Sequence, residues 1–490
     1  MPMRLYKFYI LAAFLLAAKF LSAQNYQAIN GSVYAGSLGV GNNPASIVQV
    51  PYTWDVTLFA VQTKQATNAV VIKNYSLLSS PSNATIVTEP GSLKRFVFTN
   101  QNIHLLNARI NLNSKSAIAF GANIRSAFSV TSSKLNLPDS AGNTTKFMQV
   151  NNGNLPLNAE FRGSAWAELY GSYARTIVDD GNRILTAGIT LNINRNLAGS
   201  YANANNLNYM AAPGNTGGYL LTGGNLQYGY SSNFDEIDSS RSASANGKSF
   251  FQHSMAGISI DAGLEYILKD DNADGEDNGF AYRTKIGLSL MDVGRNRFRY
   301  SSRSSNATAG KAGVSDTSIA QAFSNINSID DFNNGVRGIA NTFTSLAGTF
   351  NIYQPARVII NVDQHLNNNF YLNGELTLAA FPLVPKKIAY IKDINLLAVT
   401  PRWETKRWGA YLPIVFNTRN QLWVGGAFKA GPLLLGTHNL ADIFSKNKLQ
   451  NGGFYLALTI RPGKNNDGSE SDKSAKGSRK SRQSLECPKL

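Results

Sequence analysis

Cysteine is almost missing. Cys487 is the one cysteine in 490 residues, which excludes an intramolecular disulfide framework and a cysteine-based zinc cluster. Charge is scarce as well, at 16% of residues, and acids are the scarcer sign, 30 Asp and Glu against 46 Lys and Arg for a net charge of +16. Long hydrophobic runs are absent: beyond the N-terminal residues no window approaches the length of a membrane helix. No repeat of fixed period argues for a propeller. There is no G-x-S-x-G elbow, and the four histidines, His104, His253, His365 and His438, lie in no hydrolase motif. His365 follows Asp363 by two residues, a spacing that puts both on one strand face but is common by chance. An enzyme is not expected, and no cofactor is implied.

The N-terminus has the layout of a secretion signal. Arg4 and Lys7 precede an apolar stretch from Phe8 to Ala18, and Leu21-Ser22-Ala23 ends in a small residue. Cleavage is expected after Ala23, making residues 1–23 a signal peptide. The basic excess of an exported chain points to an anionic counter-surface: outer-membrane lipid, lipopolysaccharide or cell-wall polymer. No helix-turn-helix or ribonucleoprotein motif accompanies it, so nucleic acid is not an expected partner.

What the chain has in abundance is period two. In one segment Leu185, Ala187, Ile189, Leu191 and Ile193 alternate with Thr186, Gly188, Thr190, Asn192 and Asn194. In the next, Ala256, Ile258, Ile260, Ala262 and Leu264 oppose Ser259, Asp261, Gly263 and Glu265. A third sets Tyr282, Thr284, Ile286, Leu288 and Leu290 against Arg283, Lys285, Gly287 and Ser289. Similar segments lie near 52–64, 69–77, 102–113, 116–130, 164–178, 354–364, 369–381, 394–404, 408–418, 420–429 and 452–461, with weaker ones near 225–232, 296–302 and 432–437. Strands of ten residues or more with one greasy and one wet face suit a tilted crossing of a bilayer, whereas sandwich strands are typically about five or six residues. Short turns such as Asn113-Ser114-Lys115 and Glu404-Thr405-Lys406 alternate with long loops near 78–101, 131–163, 197–252 and 301–352. The expectation is an all-β, transmembrane, antiparallel outer-membrane barrel of about 14 strands, in a range of about 12 to 16, with short turns in the periplasm and long loops outside.

One hairpin does not fit this alternation. The turn near Ala66-Thr67-Asn68 is short where a long loop is due. Either a strand hides in 25–51, or that segment threads the lumen, or the turn is extracellular. A helix is expected within 316–343, where Ile319, Phe323 and Ile326 take helical spacing behind Ser315 or Asp316 as cap. The domain layout is therefore a signal at 1–23, an N-terminal hatch or lead-in at 24–51, a barrel at 52–462 and a basic tail at 463–490. In the tail, "KSAKGSRKSRQS" carries five positive charges and no acid, the composition of a disordered segment.

Three groups of residues are candidates for function. Asn42, Asn43, Pro44 and Ala45 lie in the turn-prone stretch "GVGNNPASI", either a hatch bonded to a wet inner wall or a lead-in loop below it. Asp261, Glu265, Arg283 and Lys285 share the wet faces of neighbouring strands, and a hairpin folded about 273–274 would set Glu265 near Arg283 and Asp261 near Lys285, as a structural ladder or a charged constriction. Asp270, Asn272 and Asp274 begin like an EF-hand loop, but the twelfth position is Ala281 where calcium needs a bidentate Glu. An acidic turn is the favoured reading and weak metal binding the alternative.

Taken together, "GNNPA" (Gly41 to Ala45), "TPRWETKRWGAYLP" (Thr400 to Pro413), "KAGPLLLGTHNL" (Lys429 to Leu440) and the closing "GGFYLALTIRP" resemble an uncharacterised family of Bacteroidota outer-membrane barrels. That family is distantly similar to FadL-type transporters of hydrophobic compounds, in which an N-terminal segment plugs a 14-stranded barrel, and to accessory barrels of type IX secretion. The first resemblance implies a channel for small hydrophobic solutes with Asn43-Pro44-Ala45 in the plug. The second implies a structural role among envelope protein partners. N-terminal sequencing of protein purified from the envelope should read Gln24 first; an intact Met1 would refute the signal.

Overall fold

The computed structural model describes residues 26–76, 79–138, 143–214, 217–269, 282–380, 389–444 and 449–462. The signal at 1–23, the tail at 463–490 with Cys487, and Asp270, Asn272 and Asp274 lie outside the described residues.

Among the described residues, 14 strands close an antiparallel barrel. They are β1 Trp54–Thr67, β2 Leu93–Asn113, β3 Ser116–Leu135, β4 Leu157–Asp179, β5 Arg183–Ala211, β6 Met255–Lys269, β7 Tyr282–Arg299, β8 Arg357–Asn367, β9 Phe370–Ala379, β10 Leu396–Glu404, β11 at 408–417, β12 at 422–430, β13 Leu433–Thr437 and β14 Phe454–Ile460. Each pairs with its neighbour in sequence, and β14 returns to β1 with Val56 opposite Ile460 and Ala60 opposite Ala457. Closure leaves no sheet edge, the condition for strands to cross a bilayer with every backbone group paired. No helix among the described residues is long and apolar enough to cross a membrane.

The burial pattern is inverted relative to a water-soluble protein. Leu169, Ile177, Ile193 and Ile258 are each about 60% exposed or more, at 64, 62, 58 and 60%. Asn123, Thr190, Asn192 and Glu265 are buried. Because side chains alternate along a strand, one phase forms an apolar outer belt and the other a polar lumen.

One rim carries the start of β1, the end of β14 and the tight turns after β2, β4, β8, β10 and β12. Three of these turns contain residues at positive φ, Gly181, Asn368 and Gly431. The opposite rim carries the long connections and one tight turn, at 418–421 between β11 and β12. The turn after Thr67 lies on this long-loop rim, which resolves the misfit hairpin. Of the segment near 69–77, the described residues add no barrel strand: Val70–Lys73 pairs with Thr85–Thr88 in a separate two-stranded sheet. The segment preceding β1 threads the interior.

Several strands run beyond their apolar alternation. β5 spans 29 residues, and its final part, rich in Asn and Ala, pairs with Tyr219–Tyr230, which in turn pairs with Ser305–Gly310. Above the belt both faces of the sheet meet water or loops, so the greasy-wet pattern lapses although the ladder continues. The weak segment near 225–232 therefore belongs to this extension and not to the barrel wall, and 296–302 is largely the end of β7. The expected helix within 316–343 is two helices, α1 Asp316–Ala322 and α2 Ile329–Ile339, capped by the side chains of Ser315 and Ser328. Phe323 at the break packs on Phe332 of α2, and the chain then turns into a strand, Ala340–Ser345.

Ile189 sits in the outer belt of β5, 53% exposed. Ile189→Arg should destabilise the barrel by about 2–4 kcal/mol, read from denaturant-driven unfolding in lipid bilayers, whereas Ile189→Leu should be close to neutral.

Candidate functional site: a lumen filled from the N-terminus

Residues 26–50 make contacts around almost the whole wall. Asn30 donates to Glu375 of β9 at 2.7 Å and Ser32 to Glu404 of β10 at 2.7 Å. The Ser37 amide donates to Asp55 of β1 at 2.7 Å. Asn43 donates to the Leu264 carbonyl of β6 at 2.9 Å, and Ser289 of β7 donates to the Asn42 carbonyl at 2.6 Å. Arg109 of β2 donates to the Ile47 carbonyl at 2.6 Å, and Arg461, just past β14, to the Tyr34 carbonyl at 2.9 Å. Partners on so many strands place the segment inside the barrel.

The local conformation follows from composition. The segment forms short 3-10 turns, Gln27–Ile29, Gly36–Gly41 and Pro44–Ile47. Asn43 caps the last by accepting from the Ala45 amide at 2.9 Å, with Pro44 in the first position, where no donor is needed. Such turns leave many carbonyls without an internal partner, and the wall side chains supply the donors.

Asn42, Asn43, Pro44 and Ala45 are all buried. They dock on a track of glycines. Gly188 of β5 lies opposite Gly263 of β6, and Gly287 is two residues from Ser289, the partner of Gly263. A Cβ at Gly188 would stand 2.5 Å from Ala45 N and Pro44 C, one at Gly287 3.0 Å from the Asn43 amide nitrogen, and one at Gly263 would overlap the Asn43 side-chain oxygen. These three glycines let the loop lie directly on the wall.

Three buried ionic clusters anchor the rest. Near the short-turn rim, Arg402 of β10 donates through both terminal nitrogens to Asp363 of β8 at 2.7 Å each, while Glu404 accepts from Lys429 at 2.9 Å and Tyr411 at 2.5 Å. Further up the lumen, Arg125 of β3 grips Asp292 of β7 at 2.6 and 2.9 Å and lies 3.4 Å from Glu168 of β4. Arg357 also donates to Asp292 and reaches the Gly41 carbonyl at 3.2 Å. Asp292 takes positive φ (60°), within a shift of register between β6 and β7. The third is Arg109 with Asp55 at 3.2 Å, also bonded to the Tyr52 carbonyl. Burying such charges is favourable only because each is multiply bonded; removing one partner typically costs about 3–5 kcal/mol.

Of the charges singled out from sequence, Asp261, Glu265 and Lys285 are buried in the lumen, and Lys285 lies 3.7 Å from Glu265. Asp261 accepts from the Asp292 amide at 2.6 Å and from Asn192 at 3.0 Å, and so does not pair with Lys285. Arg283 is exposed and does not join them. A register shift between Tyr282 and Thr284 flips the phase of β7 there, so that Tyr282 and Lys285 both face inward and Arg283 outward. No group of three or more potential metal ligands occurs among the described residues. The cluster of Arg402, Asp363 and Glu404 is not among the candidate groups of the sequence, which set Asp363 only beside His365. Its signal was present: Asp363 shares a phase with Asn361, and Arg402 and Glu404 share one with Thr400, each opposite an apolar phase, Val358, Ile360 and Val362 or Leu397 and Val399.

Between the segment and the wall a polar cavity of about 40 Å³ remains, lined by Tyr26, Gln62, Arg125, Asp261 and Arg357 among others. At about 10–15 Å³ per water it holds roughly three waters, not a solute. A second concavity differs in kind. It has a volume of about 800 Å³ and an apolar lining from Phe370, Trp403, Leu412, Phe428, Leu435 and Leu440, with Arg402 and Tyr411 at its inner side. It forms where β11 breaks between Tyr411 and Ile414 and β12 between Val424 and Gly426. Pro413 has no amide to give, and the Gly425 amide donates to its carbonyl at 2.7 Å. Two of the sequence stretches noted above, 400–413 and 429–440, converge on this groove.

No protein-family model matches the sequence, and no curated protein matches it significantly. Among solved structures, the chain is similar to a Pseudomonas aeruginosa FadL homologue at 11% identity over 90% of this chain and 99% of that one, with a TM-score of 0.42. It is also similar to the Ralstonia pickettii toluene transporter TbuX at 11% identity, 87% and 94% coverage and a TM-score of 0.37. For the Pseudomonas putida toluene transporter TodX the values are 10%, 90%, 95% and 0.30. At these values no residue role transfers; the closed barrel stands on its own strand pairing.

Gly263→Val should prise the Asn43 turn from the wall. In a Cys487→Ser background, Ser46→Cys should react slowly with a water-soluble maleimide, and adding Gly263→Val should speed labelling by about tenfold, equivalent to about 1.4 kcal/mol. An unchanged rate would mean that the glycine track does not hold the segment.

Proposed function

We propose that this protein is a plugged outer-membrane channel for small apolar solutes, with residues 26–50 as the plug. The observation that carries this reading is shared residues. Arg402 and Tyr411 are among the residues that line the apolar groove in the wall, and their side chains belong to the network that holds Asn30 and Ser32, through Arg402 to the Asn30 carbonyl at 3.5 Å and Tyr411 to Glu404. A solute seated among Phe370, Trp403 and Phe428 would lie against the ties of the plug. Apolar lining suits an apolar cargo, and the few polar groups would orient it. In this reading the long loops face outward, the short turns face the periplasm, and the plug can leave the lumen without unfolding the wall, because its own turns are short and its ties are side-chain hydrogen bonds.

The lumen itself favours a second reading. It is crossed by buried ion pairs and leaves little space beside the plug, which suits a rigid structural or accessory barrel that binds other envelope proteins. One experiment separates the two. In planar bilayers the full-length protein should show little current and a deletion of residues 24–48 a stable one, with uptake of a small aromatic solute into liposomes rising in parallel. A folded deletion protein that conducts nothing would sink the channel reading, and co-purification of envelope proteins with the full-length chain would then support the structural one.

A further inference from the structure

The apolar outer belt ends abruptly on two strands that flank β6. Along the outward phase of β7, Ile286, Leu288, Leu290 and Val293 are exposed apolar residues, and the next outward positions are Arg295, Arg297 and Arg299, all exposed. On β5 the outward run Ile189, Leu191, Ile193 is followed by exposed Arg195. β6 lies between them: Arg195 is paired with Ala256 and Arg295 with Ile258. Arg295 is thus level with Ile193 and Ile258, two residues along from Arg195, and the small Ala256 leaves space open at the level of Arg195 between the two arginine-bearing strands, which stand two inter-strand spacings apart, roughly 9–10 Å.

None of these four arginines lies in an ion pair among the described residues, in contrast to the arginines of the lumen. Two have neutral contacts. Arg195 donates to the Ser254 hydroxyl at 2.6 Å and to the Phe251 carbonyl, and Arg297 to the Thr349 hydroxyl at 3.3 Å. The Arg195 bonds hold its guanidinium against the helix Ala243–Gln252, whose Phe251 is itself exposed. The result is a stripe of four cations and an exposed aromatic ring at the height where hydrocarbon gives way to headgroups, on the long-loop rim.

We propose that this stripe is a binding site for the phosphate groups of a phosphorylated glycolipid in the outer leaflet. The acyl chains would lie on Ile193, Ile258 and Val293, and the headgroup phosphates between Arg195 and Arg295, with Arg297 and Arg299 above. Guanidinium groups match phosphate oxygens in paired hydrogen bonds and are more weakly hydrated than ammonium, and the proximity of the apolar belt strengthens their attraction by lowering the local dielectric. The site rests on the outer-membrane orientation given above, but not on conduction.

The test is native mass spectrometry of the full-length protein in detergent with lipid A as probe. The wild-type barrel should retain lipid A and should bind a dephosphorylated lipid A at least about tenfold more weakly, the scale of a charge-assisted contact of about 1.4 kcal/mol. Arg195→Gln with Arg295→Gln should lose that preference, and Arg→Lys at the same positions should keep part of it, because charge remains while paired bonding is lost. Heat-modified mobility on gels checks that each variant is folded; all four positions face outward, away from the lumen. Equal binding of the two lipids by wild type, or full retention of the preference by the Gln variant, would overturn the site. The bilayer currents of the plug deletion are independent of this outcome, so failure of the lipid site and failure of the channel reading are distinguishable.

Discussion

Closure of the ladder between β1 and β14 is the constraint on which everything else depends. A sheet without edges can satisfy every backbone group in hydrocarbon, and no open sheet can. Once the sheet is closed, each strand has an outside that meets lipid and an inside that does not. Leu169, Ile193 and Ile258 follow from the first condition, and Asn123, Asn192 and Glu265 from the second.

A polar interior creates its own demand. Side chains such as Arg109, Arg402 and Glu404 are cut off from bulk water, and each needs partners to offset the loss of hydration. Some of those partners lie across the lumen on other strands. Others are carbonyls and side chains of residues 26–50, which in turn need donors because their 3-10 turns leave carbonyls such as those of Tyr34, Gly41, Asn42 and Ile47 to be met by the wall. Wall and segment therefore complete each other's hydrogen bonding. This mutual completion, together with the apolar packing of Tyr26, Ile29, Leu38, Ile47 and Val48 on the wall, explains why a stretch with so many glycines and asparagines is among the most buried parts of the molecule.

The outer face makes the complementary point. The apolar belt is set by the bilayer, and its upper limit can be read residue by residue from where Val293 gives way to Arg295 and Ile193 to Arg195. Inside the barrel an arginine must be paired with a carboxylate. Outside, at the headgroup level, it can be left to the membrane. The same residue type thus has two different electrostatic solutions separated by one strand thickness.

Period two by itself determined the class of this protein: strands with one greasy face, no spanning helix, short turns alternating with long loops. It also placed Asp261, Glu265 and Lys285 inward, because alternation needs no knowledge of neighbours. It failed where geometry departs from strict alternation. The register shift after Tyr282 turned Arg283 outward, the break at Pro413 opened a groove in the wall, and the polar continuation of β5 was invisible because both of its faces are wet. Only the tertiary structure decided what the small residues at 188, 263 and 287 are for. A glycine on a wet face looks the same whether it faces solvent or the Asn43-Pro44-Ala45 turn, and the difference lies in packing between segments more than a hundred residues apart.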